Sequence, residues 1–466
     1  MMNHSQTPAN IRLENEVGTR AGDAALTRRR WLACGAAGAL TAAATSPPAL
    51  AQGGPATAQA APALPDARGR TPVALATDEA YWAQVAALYP SDPSIVNFEH
   101  GYFGTMALPV LQDYQRQIEL VNQRGSFVVR TQYDAGGAAR IRARVAQEVG
   151  ALPEEVAMTR GATEALQNLI TNYNLLRPGD VAMYADLDYD SMQYAMQFLK
   201  ERRGAQVVKI ALPEPATYQG IIDAYAKALE EHPKTRLLLL THLSHRTGLL
   251  IPVAEIARIA RSRGVDVIVD VAHSWGQVDF NVKDLGADFV GFNLHKWIGA
   301  PLGVGFLYIR KERLQDISRV FEDGDFAPTD IRSRVHSGTT NIANVMAVPA
   351  ALDLHRAIGP AAKEARLRHL RNEWVKQVRP LGAWQVLTPD DPRMHAGITS
   401  VRLAGRGSRD DNLKLAARLR EEFGLFTVRR GGVTAGDCVR ISPAIFTSAA
   451  QVDRLARALR TIAATA

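Results

Sequence analysis

A few residues of this 466-residue chain stand where their side chains can do chemistry. The stretch 265–270 reads Val-Asp-Val-Ile-Val-Asp, an apolar β-run that ends in a carboxylate. Open α/β sheets bind ligands at the carboxyl ends of their strands, so Asp270 either meets a bound group or only caps the following loop. After a second apolar run comes Asn293-Leu294-His295-Lys296-Trp297, which puts Lys296 twenty-six residues beyond Asp270. A lysine flanked by His and Trp at a strand end is an odd surface lysine. The glycines of 299–305 let backbone approach it closely. Gly161-Ala162-Thr163-Glu164 opens a helix after a strand. Its amides and hydroxyl make either a phosphate site or a plain N-cap box.

Positioning these groups takes a scaffold with many strand ends on one side. Short β-rich runs at 155–158, 180–184, 206–210, 236–241, 265–270, 289–292 and 304–309 alternate with helical periodicity at 163–173, 191–203, 218–231 and 253–263. The alternation predicts βα units and an α/β large domain over 151–358, with a seven-stranded, mainly parallel sheet. Residues 78–150 read as an N-terminal segment of the fold. A smaller α+β C-terminal domain is expected over 359–466, with a charged helix at 361–378 and strands at 385–387, 398–402, 426–429 and 438–441. There is no internal repeat.

Taken together, Asp270, Lys296, the glycine-rich stretch after it and the 161–164 turn resemble the class V, fold-type I family of pyridoxal-phosphate enzymes. That family includes cysteine desulfurases, some aminotransferases and isopenicillin N epimerase. The resemblance spans roughly residues 95–460, and Asn97-Phe98-Glu99-His100-Gly101-Tyr102-Phe103-Gly104 with Pro109-Val110 is similar to the opening loop of the epimerase-like branch. It implies the fold-type I architecture, pyridoxal 5'-phosphate as cofactor and a homodimer. By this resemblance Lys296 forms the Schiff base with the cofactor aldehyde, and Asp270 faces the pyridine nitrogen. His273, where the family often has Gln, hydrogen-bonds the phenolic oxygen. Gly161, Ala162 and Thr163 hold the phosphate, Asn293 joins them where relatives use Ser, and His295 sits beside it. Thr339, in Gly338-Thr339-Thr340-Asn341, reaches the phosphate from the second subunit. Tyr189 stacks over the ring, His245 lies near the cofactor oxygen, and Arg440 clamps the substrate α-carboxylate.

The expected activity is at the Cα of an amino acid or peptide-like amine, and it is epimerase-like. A class V aminotransferase is the alternative, followed by a C–S lyase and by a non-enzymatic cofactor-binding protein. Desulfuration needs a mobile thiolate, whereas the two cysteines are Cys34, in the N-terminal leader, and Cys438, two residues from Arg440 in one expected strand.

Composition suits a globular protein: 47% hydrophobic and 22% charged residues. The net charge is +7, of which +2 lies in residues 1–51, and +5 over the remaining 415 is too dilute for a nucleic-acid stripe. The most apolar stretch, 35–51, is broken by Thr45, Ser46, Pro47 and Pro48, so no membrane span is expected in the mature chain. Thr27-Arg28-Arg29-Arg30-Trp31-Leu32, a weakly apolar 33–44 and Ala49-Leu50-Ala51 are similar to a twin-arginine signal peptide over 1–51. The expectation is export of the folded protein to the periplasm by the twin-arginine machinery, with a flexible leader at 52–77.

Overall fold

The computed structural model describes residues 63–321, 324–336 and 338–465. Seven strands form the central sheet: β1 (Val156–Thr159), β2 (Val181–Ala185), β3 (Gln206–Ile210), β4 (Thr235–Thr241), β5 (Asp266–Asp270), β6 (Phe289–Asn293) and β7 (Gly305–Ile309). Their order is β1-β7-β6-β5-β4-β2-β3. The pairs from β3 through β6 are parallel, and β7 runs antiparallel to both β6 and β1. The near-continuous apolar runs follow from burial on both faces. Along β4, Leu238 and Leu240 enter one core while Leu237 and Leu239 enter the other; along β5, Val267 and Val269 oppose Ile268 in the same way.

The chain turns outward from β2 to β3, then crosses back to β4 on the far side of β2, so the loops after β2 and β4 diverge. That divergence opens a crevice at the carboxyl ends of the strands. The β2 loop carries Asp188 and Tyr189, the β4 loop His245, and β5 ends in Asp270.

A second, antiparallel sheet in the order β10-β11-β9-β8 is built from β8 (Trp384–Val386), β9 (Thr399–Leu403), β10 (Val428–Arg430) and β11 (Cys438–Ile441). Helices Pro360–Val378 and Ala449–Ala463 bury Trp374, Leu455 and Leu459 with Val401 and Val439 of these strands. Val96–Asn97 pairs in parallel with Leu425–Phe426, and the Ser442 amide donates to Phe98 O at 2.7 Å. These bonds pin the loop that starts at Val96 against the small domain, beside Arg440.

The leader differs from expectation at its end. Thr71 caps helix Pro72–Ala76, Leu75 and Ala76 are buried, and Trp82 Nε1 donates to Leu75 O at 2.7 Å. Leu75 and Trp82 pack with Ala362 and Leu367, so apolar burial outweighs the Ala/Pro-rich composition that suggested a flexible stretch. The signal-peptide expectation and residues 52–62 lie outside the described residues. Among the described residues, no helix is long and apolar enough to cross a membrane.

Candidate active site

A cavity of about 660 Å³ opens at the carboxyl ends of the central strands. Of the expected site residues, Gly161, Ala162, Thr163, Tyr189 and His245 line it, as do Asp270, His273, Asn293, His295, Lys296 and Arg440. Thr339 does not; it is exposed on the surface of the same chain.

Asp270, at the end of β5, is 4% exposed and accepts the Ala272 amide on Oδ1 at 2.8 Å. Burial pushes its pKa up, against the pull of Lys296, and among the described residues no cation is within salt-bridge distance of it. A carboxylate so placed calls for a cationic partner from a ligand.

Lys296 follows β6 in a tight turn whose backbone is gripped from outside. The Gly104 amide donates to His295 O at 2.9 Å, and a Cβ at Gly104 would collide with the Lys296 carbonyl, so the loop over the lysine needs glycine there. Lys296 Nζ lies 3.0 Å from His273 Nε2. On the other side of that ring, Trp297 Nε1, which can only donate, faces His273 Nδ1 at 3.4 Å. Nδ1 is therefore the acceptor and the ring proton sits on Nε2, facing the lone pair of Lys296 once the amine is neutral. Desolvation drives the amine the same way: its pKa is pushed down to about 8, with Arg440 and Arg430 adding and Asp270 opposing. His273 is itself held neutral, its pKa well below the usual value because of burial.

His245 stacks against His273 with ring centroids 6.2 Å apart and meets the edge of Tyr189 at 5.1 Å and 89°. Its Nδ1 is buried without a partner, which leaves a hydrogen bond for a ligand oxygen to fill. At the opposite end, Gly161 precedes helix Ala162–Asn172. A Cβ at Gly161 would come within 3.1 Å of Asn293 Oδ1 and 3.2 Å of His295 Cε1, so any side chain there would crowd the cradle. Asn293 Oδ1 accepts the Ala162 amide at 2.7 Å. This corrects the simplest phosphate picture: Asn293 ties down one of the amides and orients the helix start, leaving the following ones and the Thr163 hydroxyl. His295 is anchored through Nδ1 to Val304 O at 3.1 Å, and enclosure pushes its pKa down to about 4.

Arg440, in β11, is 1% exposed and is not free. Its Nε and Nη2 donate to Glu99 Oε2 and Oε1 at 3.2 and 2.5 Å, and Nη1 donates to His245 O at 2.8 Å. Arg430 Nη2 joins Glu99 Oε1 at 2.6 Å. Sequence reasoning missed Glu99 as a site residue, because nothing local links it to an arginine 341 positions away. It also missed Asp188, whose carboxylate accepts Thr241 Oγ1 at 2.6 Å behind Asp270 and whose pKa burial pushes up to about 7.

A buried carboxylate at a strand end, a desolvated lysine beyond it and an anion cradle at a helix start define a pyridoxal-phosphate enzyme of fold type I. The chain belongs to the class-V aminotransferase family, whose model matches residues 107–455. It is 28% identical over 398 residues to isopenicillin N epimerase of Streptomyces clavuligerus, covering 82% of this chain and 98% of that one. It is 29% identical over 355 residues to a putative L-cysteine desulfhydrase of Oryza sativa, covering 71% and 73%. Among solved structures it is similar to a C-DES mutant with glycine linked to its PLP cofactor, with a TM-score of 0.69, 22% identity and 80% and 98% of the two chains covered. The cysteine desulfurase CsdA of Escherichia coli gives 0.68 at 22%, covering 82% and 98%. Pyridoxal phosphate is the cofactor.

Proposed function

We propose that this enzyme moves the proton at the Cα of an amino acid or peptide-like amine, in the manner of an epimerase. One observation carries the reading: Lys296 Nζ lies 3.0 Å from His273 Nε2 in a desolvated site that pushes its pKa down to about 8, so the amine can take and return a proton. Bound pyridoxal phosphate supplies an electron sink for the pair left at Cα when that proton departs. Asp270 would hold the ring nitrogen, Gly161 and Thr163 with the helix start the phosphate, and His245 Nδ1 a ring oxygen. Arg440 would orient the substrate carboxylate. The aromatic rim, with Tyr102, Phe103 and Phe321 all exposed at the mouth, suits an amine larger than a simple amino acid.

The similarity to isopenicillin N epimerase over nearly its whole length supports this choice among Cα chemistries. Desulfuration is disfavoured: Cys438 is fully buried in β11, its thiol pushed up to about 11, with Sγ against Arg246 O at 3.6 Å. Elimination is the second reading, favoured by the similarity to the rice desulfhydrase and needing no protein thiol.

A homodimer is part of this reading, with Thr339, which is exposed and does not line its own cavity, serving the partner's site. We also hold to the twin-arginine leader over 1–51 and to a periplasmic mature enzyme. The test is incubation of the loaded enzyme with a panel of L- and D-amino acids in D₂O. Deuterium at Cα with inversion and no keto acid supports the proposal. Pyruvate with sulfide from cysteine would favour elimination, and conversion of the cofactor to its amine form would favour transamination.

A further inference from the structure

One wall of the cavity carries two guanidiniums and a single carboxylate. Arg430 and Arg440 line the cavity. Glu99 lies behind them with 6% of its side chain exposed. It binds the Nε/Nη2 edge of Arg440 and the Nη2 of Arg430. A guanidinium has five N–H donors, so Arg440, with one more given to His245 O, keeps two. Arg430 Nε is buried with no partner. The neighbouring arginines are paired: Arg246 with Asp190, Arg429 with Asp437 and Arg160 with Glu164. Two cations sharing one anion leave this wall one positive charge and spare donors.

The geometry points to Glu99 as the residue that sets the anion capacity of this wall, making it a receptor for one carboxylate and selecting substrates that carry a single negative charge at that end. The inference rests on the reading of Arg440 as the substrate-carboxylate arginine and gives that reading a substrate class. One carboxylate brings the wall to neutrality, whereas a second leaves an unpaired anion in a desolvated place, which is costly. Glu99 is thus a positioning and charge-counting residue that does not touch the reacting atoms. Replacing it with Gln keeps its shape and raises the wall to two positive charges. Any loss of positioning then weakens every acid alike, while the added charge favours dianions selectively.

The experiment uses the cofactor-loaded enzyme and two acids that lack an amine and so cannot react: propionate, a monoanion, and malonate, a dianion. Their affinities are measured by calorimetry, and the visible cofactor band is recorded separately. In Glu99→Gln the malonate-to-propionate affinity ratio should rise about tenfold or more over wild type. In Glu99→Gln combined with Arg430→Gln the wall returns to one positive charge, and the ratio should return to that of wild type. An unchanged ratio in the single variant, or a raised ratio that persists in the double, overturns the inference. Should Glu99→Gln not fold, Arg430→Gln alone decides: propionate affinity should fall about tenfold, and unchanged affinity overturns the inference. Loss of the visible band from the wild-type protein would instead count against the cofactor reading, which the acid titrations do not report.

Discussion

In its neutral form Lys296 accepts a hydrogen bond from His273, and it is Trp297, the next residue, that sets the direction by pointing its indole N–H at the far nitrogen of the imidazole. Cofactor uptake by the apo-protein should therefore speed up as pH rises through about 8, as Lys296 loses its proton. His273→Leu removes the donor that favours the neutral amine, so the midpoint should move to higher pH. His273→Gln, which can still donate an N–H, should hold it near the wild-type value. Stopped-flow absorbance after mixing with pyridoxal phosphate at stepped pH checks both.

Arg440 is expected to serve the substrate and not the cofactor. Arg440→Lys keeps a charge but loses the fork that engages Glu99 and the substrate together. With a charge-assisted pair worth on the order of 2–5 kcal/mol when desolvated, kcat/KM for carboxylate substrates should fall about 100-fold. The visible cofactor band should be retained. Steady-state kinetics and an absorbance spectrum on one preparation test the two halves.

The enzyme should lose stability on mild acidification. Eight histidines, five buried and three partly so, have pKa values lowered by desolvation: His100, His242, His295 and His395 to about 4, His245, His273 and His355 well below normal, and His369 below its usual value. The unfolded chain takes up protons on these rings below about pH 6.5 while the folded one does not, so stability is intact above that pH and drains between roughly 6.5 and 4. Asp188, raised to about 7, and Asp270 and Asp279, also raised by burial, work in the opposite sense, but they are three groups against eight. Each histidine adds up to about 1.4 kcal/mol per pH unit, so Tm should drop steeply from pH 6.5 to 4.5. A flat Tm over that range would contradict the assignment of neutral, desolvated rings.

Much of the scaffold was legible because its strands are buried on both faces. The expected runs at 206–210, 218–231 and 438–441 coincide with Gln206–Ile210, Tyr218–Glu231 and Cys438–Ile441, and the other central-sheet elements agree within a residue or so at each end. Asp270 and Lys296 were legible because each follows an apolar strand, which places it at the ligand end of the sheet. The antiparallel setting of β7 was not, since an apolar run carries no direction. Nor was the Glu99–Arg430–Arg440 group, which depends on Val96–Asn97 pairing with Leu425–Phe426 across the whole chain. Lys363 was hidden for the same reason. It looks like a surface charge in a basic helix, yet it is buried, with Nζ donating to Trp297 O at 2.8 Å and lying 3.0 Å from His355 Nδ1.

Replacing Arg28 and Arg29 with Lys should hold the full-length precursor inside the cell with its cofactor bound, because the proposed route moves the protein already folded and loaded. Fractionation with immunodetection of the cleaved form tests this. A double variant still exported and cleaved would remove the leader from the account and leave the chemistry standing.

The proposed chemistry depends on Lys296 being the amine that holds pyridoxal phosphate. Lys363 is the alternative the structure offers, since burial pushes its pKa down to about 7. Borohydride reduction of the loaded enzyme, followed by peptide mass spectrometry, decides between them. The phosphopyridoxyl mass is predicted on the peptide that contains Lys296 and should be absent from Lys296→Ala. Finding it on the Lys363 peptide, or finding the same labelling in Lys296→Ala, would contradict the account.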